Sequence, residues 1–422
     1  MIDMNPPASV TRAPAAPVKR RIPGWANGVL WSLAAIVLLT ATADLTGLPN
    51  ITATSTIQAG LQLAVPLLLA GLGGLWAERA GVVNIGLEGM MILGTWGAAW
   101  AGYQWGPWAA VLGGIVFGAL GGLLHALATV TFGVNHIVSG VAINLLGAGV
   151  AKYLSTLLFA PVSHNPRQSP KVPSFDTYSA QPVADWLADL EKQQRYVVSD
   201  IAGIFHGLLS GVSPLTMITI LLVPISFVVL WHTRFGLRLR SCGENPVAAE
   251  SLGVNVYLQK YIAVVISGGF AGLGGAALVL APGQNGYLEN QTNGRGYIGL
   301  AAMIFGNWRP GGLLGGAALF GYADGLQTLT DGKTVLGLFY GVSLLIWVIA
   351  LVQLIRRKWI VGLVSVVVGG ALYLLYLSID SLPQELTTYL PHIVTIVVLA
   401  MSSQRLRMPA ADGLIYRRGQ GS

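Results

Sequence analysis

The acidic residues Glu88 and Asp324 each fall in a stretch of the 422-residue chain that is otherwise apolar. A charge at the centre of a bilayer costs about 2.5–3.5 kcal/mol on insertion scales, so each marks a functional site or an internal bonding partner. Asn84, His125 and Asn144 are uncharged but also expensive there. Along a translocation path these residues would meet a polar solute. Inside the bundle, a carboxylate would instead be held neutral or would bond a broken helix. Glu88 follows Asn84-Ile85-Gly86 and precedes Gly89, a flexible run that favours the structural role. Asp324, beside Gly321 and Gly325, leaves the two roles level. Trp96, Trp100 and Tyr103 stand near the outer end of a third apolar segment, where they could stack on a flat ring; aromatic belts at the membrane interface are the commoner use.

Other chemistries lack their residues. No Asp-Asp, Glu-Glu or Ser-His-Asp set can be assembled, and no series of membrane carboxylates suggests a proton relay. The single cysteine, Cys242, forms no intrachain disulfide, and the 6 histidines are scattered without a zinc-binding spacing, so no metal site is expected. Gly332-Lys333-Thr334 resembles the end of a phosphate loop, but position 327 is Gln where the first glycine is needed. The chain is expected to bind no ATP itself.

The elements that position these residues follow from composition. With 54% hydrophobic and 10% charged side chains and a mean hydropathy of +0.65, the chain cannot cover a soluble globule. This excludes an ordinary cytosolic enzyme, a disordered chain and a nucleic-acid binder, despite the net charge of +7. The expected fold is an all-α polytopic membrane protein of about twelve hydrophobic segments. They are 27–48, 55–76, 81–101, 107–130, 136–159, 214–231, 261–281, 297–307, 311–329, 334–355, 359–379 and 386–401, the eighth short or broken. Basic residues sort to one set of alternate loops and acids such as Asp176, Asp185 and Asp189 to the other, which places the N- and C-termini in the cytoplasm. Residues 1–24 read as a disordered cytoplasmic tail and the first segment as an uncleaved anchor. Spans 1–5 occupy 25–159 and spans 6–9 occupy 214–330. The stretch 331–381 is a further membrane hairpin, and 382–422 holds the last span and a cytoplasmic tail.

Gly114, Gly118 and Gly122 recur at a spacing of four, as do Gly268 and Gly272, Gly311 and Gly315, Gly312 and Gly316, and Gly321 and Gly325. Small residues one turn apart let helix backbones approach in a bilayer, so these predict helix–helix contacts. The insertion 160–213 is extracytoplasmic and contains an amphipathic helix over 182–198, with Glu191 and Arg195 paired on its polar face, followed by an apolar stretch over 201–209. It would lie on the membrane or meet an external partner.

The cytoplasmic loop 234–260 holds the sharpest local signal. Asn245 can cap a helix whose first residue is Pro246, and Gly253 can end it in the left-handed conformation. A short capped helix between two spans is a rigid knob that a cytoplasmic protein could grip.

These residues carry a likeness. Glu244 and the Ala248-Ala249-(x)3-Gly253 pattern resemble the coupling-helix loop of ABC importer permeases. The runs Glu78-Arg79-Ala80-Gly81-Val82-Val83-Asn84-Ile85-Gly86-Leu87-Glu88-Gly89 and Gly294–Pro310, with Leu390-Pro391-His392, are similar to the permeases of nucleoside and simple-sugar importers served by a basic-membrane-lipoprotein-like binding protein, in the branched-chain amino acid permease-like superfamily. The likeness covers about 55–159, 214–330 and 386–418, and fits best the permease that pairs with a longer relative. It departs in the long insertion 160–213 and in the hairpin 331–381. The resemblance implies a transport subunit in a prokaryotic plasma membrane. Its expected partners are ABC ATPase subunits that bind ATP and magnesium, a second related permease or another copy of itself, and an extracytoplasmic binding protein or lipoprotein. It implies nucleosides first, then simple sugars or branched-chain amino acids. An ion-coupled secondary transporter is the rival from another class, for which no internal repeat is visible.

Overall fold

A computed structural model describes residues 24–193, 195, 197–284, 286–329, 332–383, 386, 389 and 406–419. The expected tail before Gly24 and nearly all of the last expected span, 386–401, lie outside the described residues. Among the described residues there is no strand, only two isolated bridges, Gln168–Leu288 and Tyr178–Val212.

The helices follow the apolar segments. In chain order they are α1 (Gly24–Thr46), α2 (Thr54–Arg79), α3 (Leu87–Trp105), α4 (Pro107–Ala126), α5 (His136–Leu154), a single turn α6 (Ala160–Ser163), α7 (Val183–Lys192) and α8 (Val198–Leu209). Then come α9 (Pro214–His232), α10 (Arg234–Glu244), α11 (Pro246–Ser251), α12 (Val256–Val279), α13 (Arg295–Phe305), α14 (Pro310–Leu329), α15 (Gly332–Ile355) and α16 (Trp359–Ser378). Helices α4 and α5 run on through π turns at Leu127–Thr131 and Ser155–Phe159. Among the described residues, 7 helical stretches are long and apolar enough to cross a membrane. Helices α3 and α14, 19 and 20 residues long, are also long enough but diluted by glycine and alanine. Helix α13, at 11 residues, reaches only part-way, as expected for the eighth segment.

The third segment differs from expectation. The apolar run starts at Gly81, but the helix begins at Leu87. Gly81 takes a positive φ of +80°, which breaks the chain after α2, and Asn84 turns its side chain onto the Gly86 amide. Residues 80–86 therefore form a non-helical joint whose valines and isoleucine disguise it as a span.

The insertion 160–213 also differs. The expected helix over 182–198 ends at Lys192, and α8 begins afresh at Val198. Glu191 consequently does not reach along a helix to Arg195. It accepts from the Thr54 hydroxyl at 2.8 Å and lies 3.0 Å from His206 Nδ1, which seats the α7–α8 hairpin on the N-terminal end of α2.

The bundle is built on small residues. α12 lies against α4, α2 and α3, while α13 and α14 lie against α2. A methyl group added at Gly118 or Gly272 would collide with the backbone of the opposite helix, so α4 and α12 meet backbone to backbone along the expected glycine repeats. Gly321 and Gly325 of α14 meet Ala64 and Gly60 of α2 in the same way. Gly311 and Gly315, in contrast, meet nothing among the described residues. The last pair, α15 and α16, pack on each other and, through α15, on α1; only 11% of the apolar window of α16 is buried, leaving the rest to lipid.

Candidate functional site

The joint between α2 and α3 draws the membrane polar residues together. Glu88, in the first turn of α3, accepts from the Gly294 amide at 2.9 Å with one carboxylate oxygen and from the Gly296 amide at 2.7 Å with the other. Those amides are orphan donors at the start of α13, so the carboxylate caps a helix that begins within the bundle. Asn144 of α5 accepts from the Gly89 amide at 2.7 Å and donates to the Ile85 carbonyl at 3.1 Å and the Tyr297 hydroxyl at 2.8 Å. Asn84 donates to Ser267 at 2.8 Å, tying the joint to α12. His125, fully buried, lies 2.8 Å from Ser139 Oγ and 3.1 Å from the Val83 carbonyl. Asp324 pairs at 2.7 Å with Arg295, between the two glycines that Glu88 caps. Each residue singled out for its cost in lipid thus has a partner at the junction of two interrupted helices. Irregular backbone at membrane depth is tolerated only where its polar groups are satisfied within the protein.

The aromatic residues go elsewhere. Trp96 is 2% exposed, stacked 5.3 Å from Phe159 and 6.2 Å from Trp100, with Phe117 at 5.3 Å. Tyr103 meets Phe159 edge-on at 6.1 Å. These rings join α3 to α4 and to the π turn after α5, and the faces of Trp96 are taken by protein.

At the other end of the bundle lies the capped loop. Asn245 Oδ1 accepts from the Ala248 amide at 3.0 Å, Pro246 opens α11, and Gly253 leaves it at φ +80°. Ala249 is 2% exposed and packs with Cys242 and Val256; Ala248 and Leu252 face outward. Burial raises the Cys242 thiol to about 11. Glu244, half-exposed, stands 3.9 Å from Arg79, a surface pair of small energetic value. Arg79 in turn donates to the Trp308 carbonyl at 3.0 and 2.6 Å.

Several residues of this face were not singled out from sequence. Glu78, at the end of α2, accepts from Trp308 Nε1 at 2.5 Å. Beside it lies Asp412, whose carboxyl is pushed up to about 7 chiefly by burial. Lys260 Nζ donates to the Gly81 carbonyl at 3.3 Å. Glu78 ends one long apolar run and Lys260 precedes another, the one local signal either carries; Asp412 carries none because its partners are remote in sequence. Among the described residues, no group of three His, Cys, Asp or Glu side chains could hold a metal ion.

Comparison with known proteins places this architecture. A family model described as "Branched-chain amino acid transport system / permease component" matches residues 56–351, from the start of α2 into α15. The guanosine ABC transporter permease protein NupQ of Bacillus subtilis is 37% identical over 280 residues, 65% of this chain and 82% of that protein. The nucleoside ABC transporter permease protein NupC of Lactococcus lactis is 31% identical over 360 residues, 84% and 93% of the two chains. A putative glucose ABC transporter permease protein, TsgC13 of Haloferax volcanii, is 30% identical over 375 residues, 87% and 98%. No solved structure matches. With most of its helical bundle inside the family match and its polar residues spent on holding that bundle together rather than on catalysis, the chain belongs to the permease components of the branched-chain amino acid transport type, the membrane subunits of ABC transporters.

Proposed function

We propose that this permease imports nucleosides. The observation that carries the reading is its 31–37% identity, over most of the chain, to permeases named for guanosine and nucleoside transport. Simple sugars are the second reading, favoured by the glucose-named relative that matches across 98% of its own length. In this scheme a binding protein or lipoprotein delivers solute from outside to a cavity between this chain and a second permease subunit, a longer relative. Two ATPase subunits, which hold ATP and magnesium, close from inside and drive the switch between outward- and inward-facing states. The termini and the α10–α11 loop face the cytoplasm of a prokaryotic cell, and the α7–α8 hairpin faces out. Uptake of labelled guanosine and glucose by cells carrying the permease with its own partners tests the substrate. Guanosine uptake without glucose uptake supports the first reading; the reverse replaces it with the second.

Helix α11 is the contact for the ATPase. What supports this is a rigid, doubly capped helix with outward-facing Ala248 and Leu252. Gly253→Val forces a β-branched residue into left-handed backbone, and Ala249→Trp overfills the packing against Cys242 and Val256. Both variants are expected to insert in the membrane at normal levels and to lose uptake. Normal uptake by either would sink the assignment.

A further inference from the structure

Residues 406–419 lie across the inner face and touch nearly everything that α11 would have to move. The Ala411 amide donates to the Gly243 carbonyl at 2.8 Å, extending the end of α10. The Ala410 amide donates to Glu244 Oε2 at 3.2 Å. Further along, the Tyr416 hydroxyl bonds one oxygen of Glu250 in α11, and Arg418 Nε holds the other at 3.2 Å. The Tyr416 ring packs 5.7 Å from Tyr257 and lies under Lys260 of α12 at 6.0 Å.

The same segment reaches the joint. Asp412 lies against Glu78 at the end of α2. A methyl group added at Gly81 would lie 3.2 Å from the Ala411 carbonyl and 3.1 Å from Gly243, and one at Gly413 would lie 3.3 Å from Val83. The Arg407 amide donates to Asn307 Oδ1 at 2.7 Å, in the turn between α13 and α14. One short stretch therefore contacts α10, α11, α12, the α2–α3 joint and the α13–α14 turn.

We propose that residues 406–419 are a strap that fastens the α10–α11 elbow to the inner ends of α2 and α12, so that a push on α11 is delivered to the α2–α3 joint. The proposal rests on the reading of α11 as the ATPase contact. Without the strap, α11 is joined to the bundle by the chain on either side of it and by the buried face of Ala249. With it, Glu250 is held from a segment that also touches Gly81 and Val83. The joint in turn holds the start of α13 through Glu88, so the contacts run without a gap from α11 to the centre of the bundle. Tyr416 and Arg418 act through Glu250 and are positioning residues.

The test uses the full transporter with its ATPase, partner permease and loaded binding protein. Two variants are compared with the parent, Tyr416→Phe combined with Arg418→Ala, and a chain ending after residue 405. Assembly with the ATPase, basal ATP hydrolysis, and its stimulation by loaded binding protein are measured separately. The strap is upheld if the double variant assembles and hydrolyses ATP at the basal rate while stimulation and uptake per assembled complex fall about tenfold, the scale of losing hydrogen bonds to a charged group. The truncation is expected to lose stimulation more completely. Parental stimulation and uptake in the double variant would overturn the proposal. Loss of ATPase assembly in the double variant would overturn it too, because the segment would then be a docking surface. Failure of the underlying reading has a different signature: Ala248→Trp, on the outward face of α11, would leave assembly and uptake at parental levels.

Discussion

At the scale of single residues, Glu88 has the best-defined role. Its oxygens take two amides from the first turn of α13, bonds that are charge-assisted and buried among helices. Replacing it with alanine removes both acceptors and leaves those donors unpaired, a loss of about 3–6 kcal/mol from the two bonds together. Glu88→Ala is expected to lower the unfolding temperature of the purified subunit in detergent, and Glu88→Gln, which keeps one carbonyl acceptor, to lower it less. Equal stability of Glu88→Ala and parent would remove the cap from the account. Asp412 offers a pH test. Burial lifts its carboxyl from 3.8 to about 7, beside Glu78, Arg79 and Lys260. The docked segment thus holds the proton more tightly than the free chain, so the contribution of Asp412 to docking is fully present below pH 4 and is lost as pH rises through 7. Amide exchange in residues 406–419, corrected for intrinsic rate, is expected to slow between pH 8 and 6, and Asp412→Asn to flatten that response. A flat parental profile would count against the buried proton. The lone thiol, Cys242, buried and raised to about 11, is expected to resist maleimide at pH 7 until the protein is unfolded.

At the scale of elements, the sequence was readable where its signals are local and opaque where they are not. The α11 loop could be read because Asn245, Pro246 and Gly253 act on their own neighbours. The glycine repeats announced close contacts, but not which helix meets which. Gly118 faces α12 and Gly321 faces α2, whereas Gly311 and Gly315 carry the same spacing and meet nothing among the described residues. That difference yields a paired expectation. Gly118→Leu should prevent accumulation of folded subunit, since α4 and α12 cannot separate without opening the core. Gly315→Ala should leave the stability of the isolated subunit unchanged or slightly higher, because alanine favours helix. Equal expression and thermal stability of the two variants would refute the seam. Glu88 and its amides lie 206 and 208 positions apart, so its cost in lipid could be seen but its partner could not. The joint at 80–86 was hidden because Val82, Val83 and Ile85 keep the run apolar while Gly81 turns it. Trp96, Trp100 and Tyr103 looked like a belt or a platform because a stretch of sequence does not say which rings a neighbouring helix will bring.

At the scale of the molecule, the bundle has a tight centre and a loose edge. Helices α2 and α12, each with 78% of the apolar window buried, run through the middle; α16 lies at the rim. The sorting of charges in the loops sets the expected topology. A reporter placed at residue 252 should be cytoplasmic and one at residue 178 extracytoplasmic, as read by accessibility to an impermeant thiol reagent. The opposite pattern would invert the molecule and remove α11 as a candidate contact for an ATPase.

Helix α2 is gripped at both of its ends. At one, Thr54 is bonded to Glu191 beneath the α7–α8 hairpin; at the other, Glu78 and Arg79 are bound to Trp308. Twenty-six residues make a rod of about 39 Å, the depth of a membrane with its headgroups. Pro66, near its middle, lacks an amide proton and leaves one rung of the ladder unmade, the one soft place along it. The two faces of the protein are therefore not insulated from each other. A load placed on the α7–α8 hairpin need not travel around the bundle to reach Trp308; it has a single continuous piece of backbone to travel along.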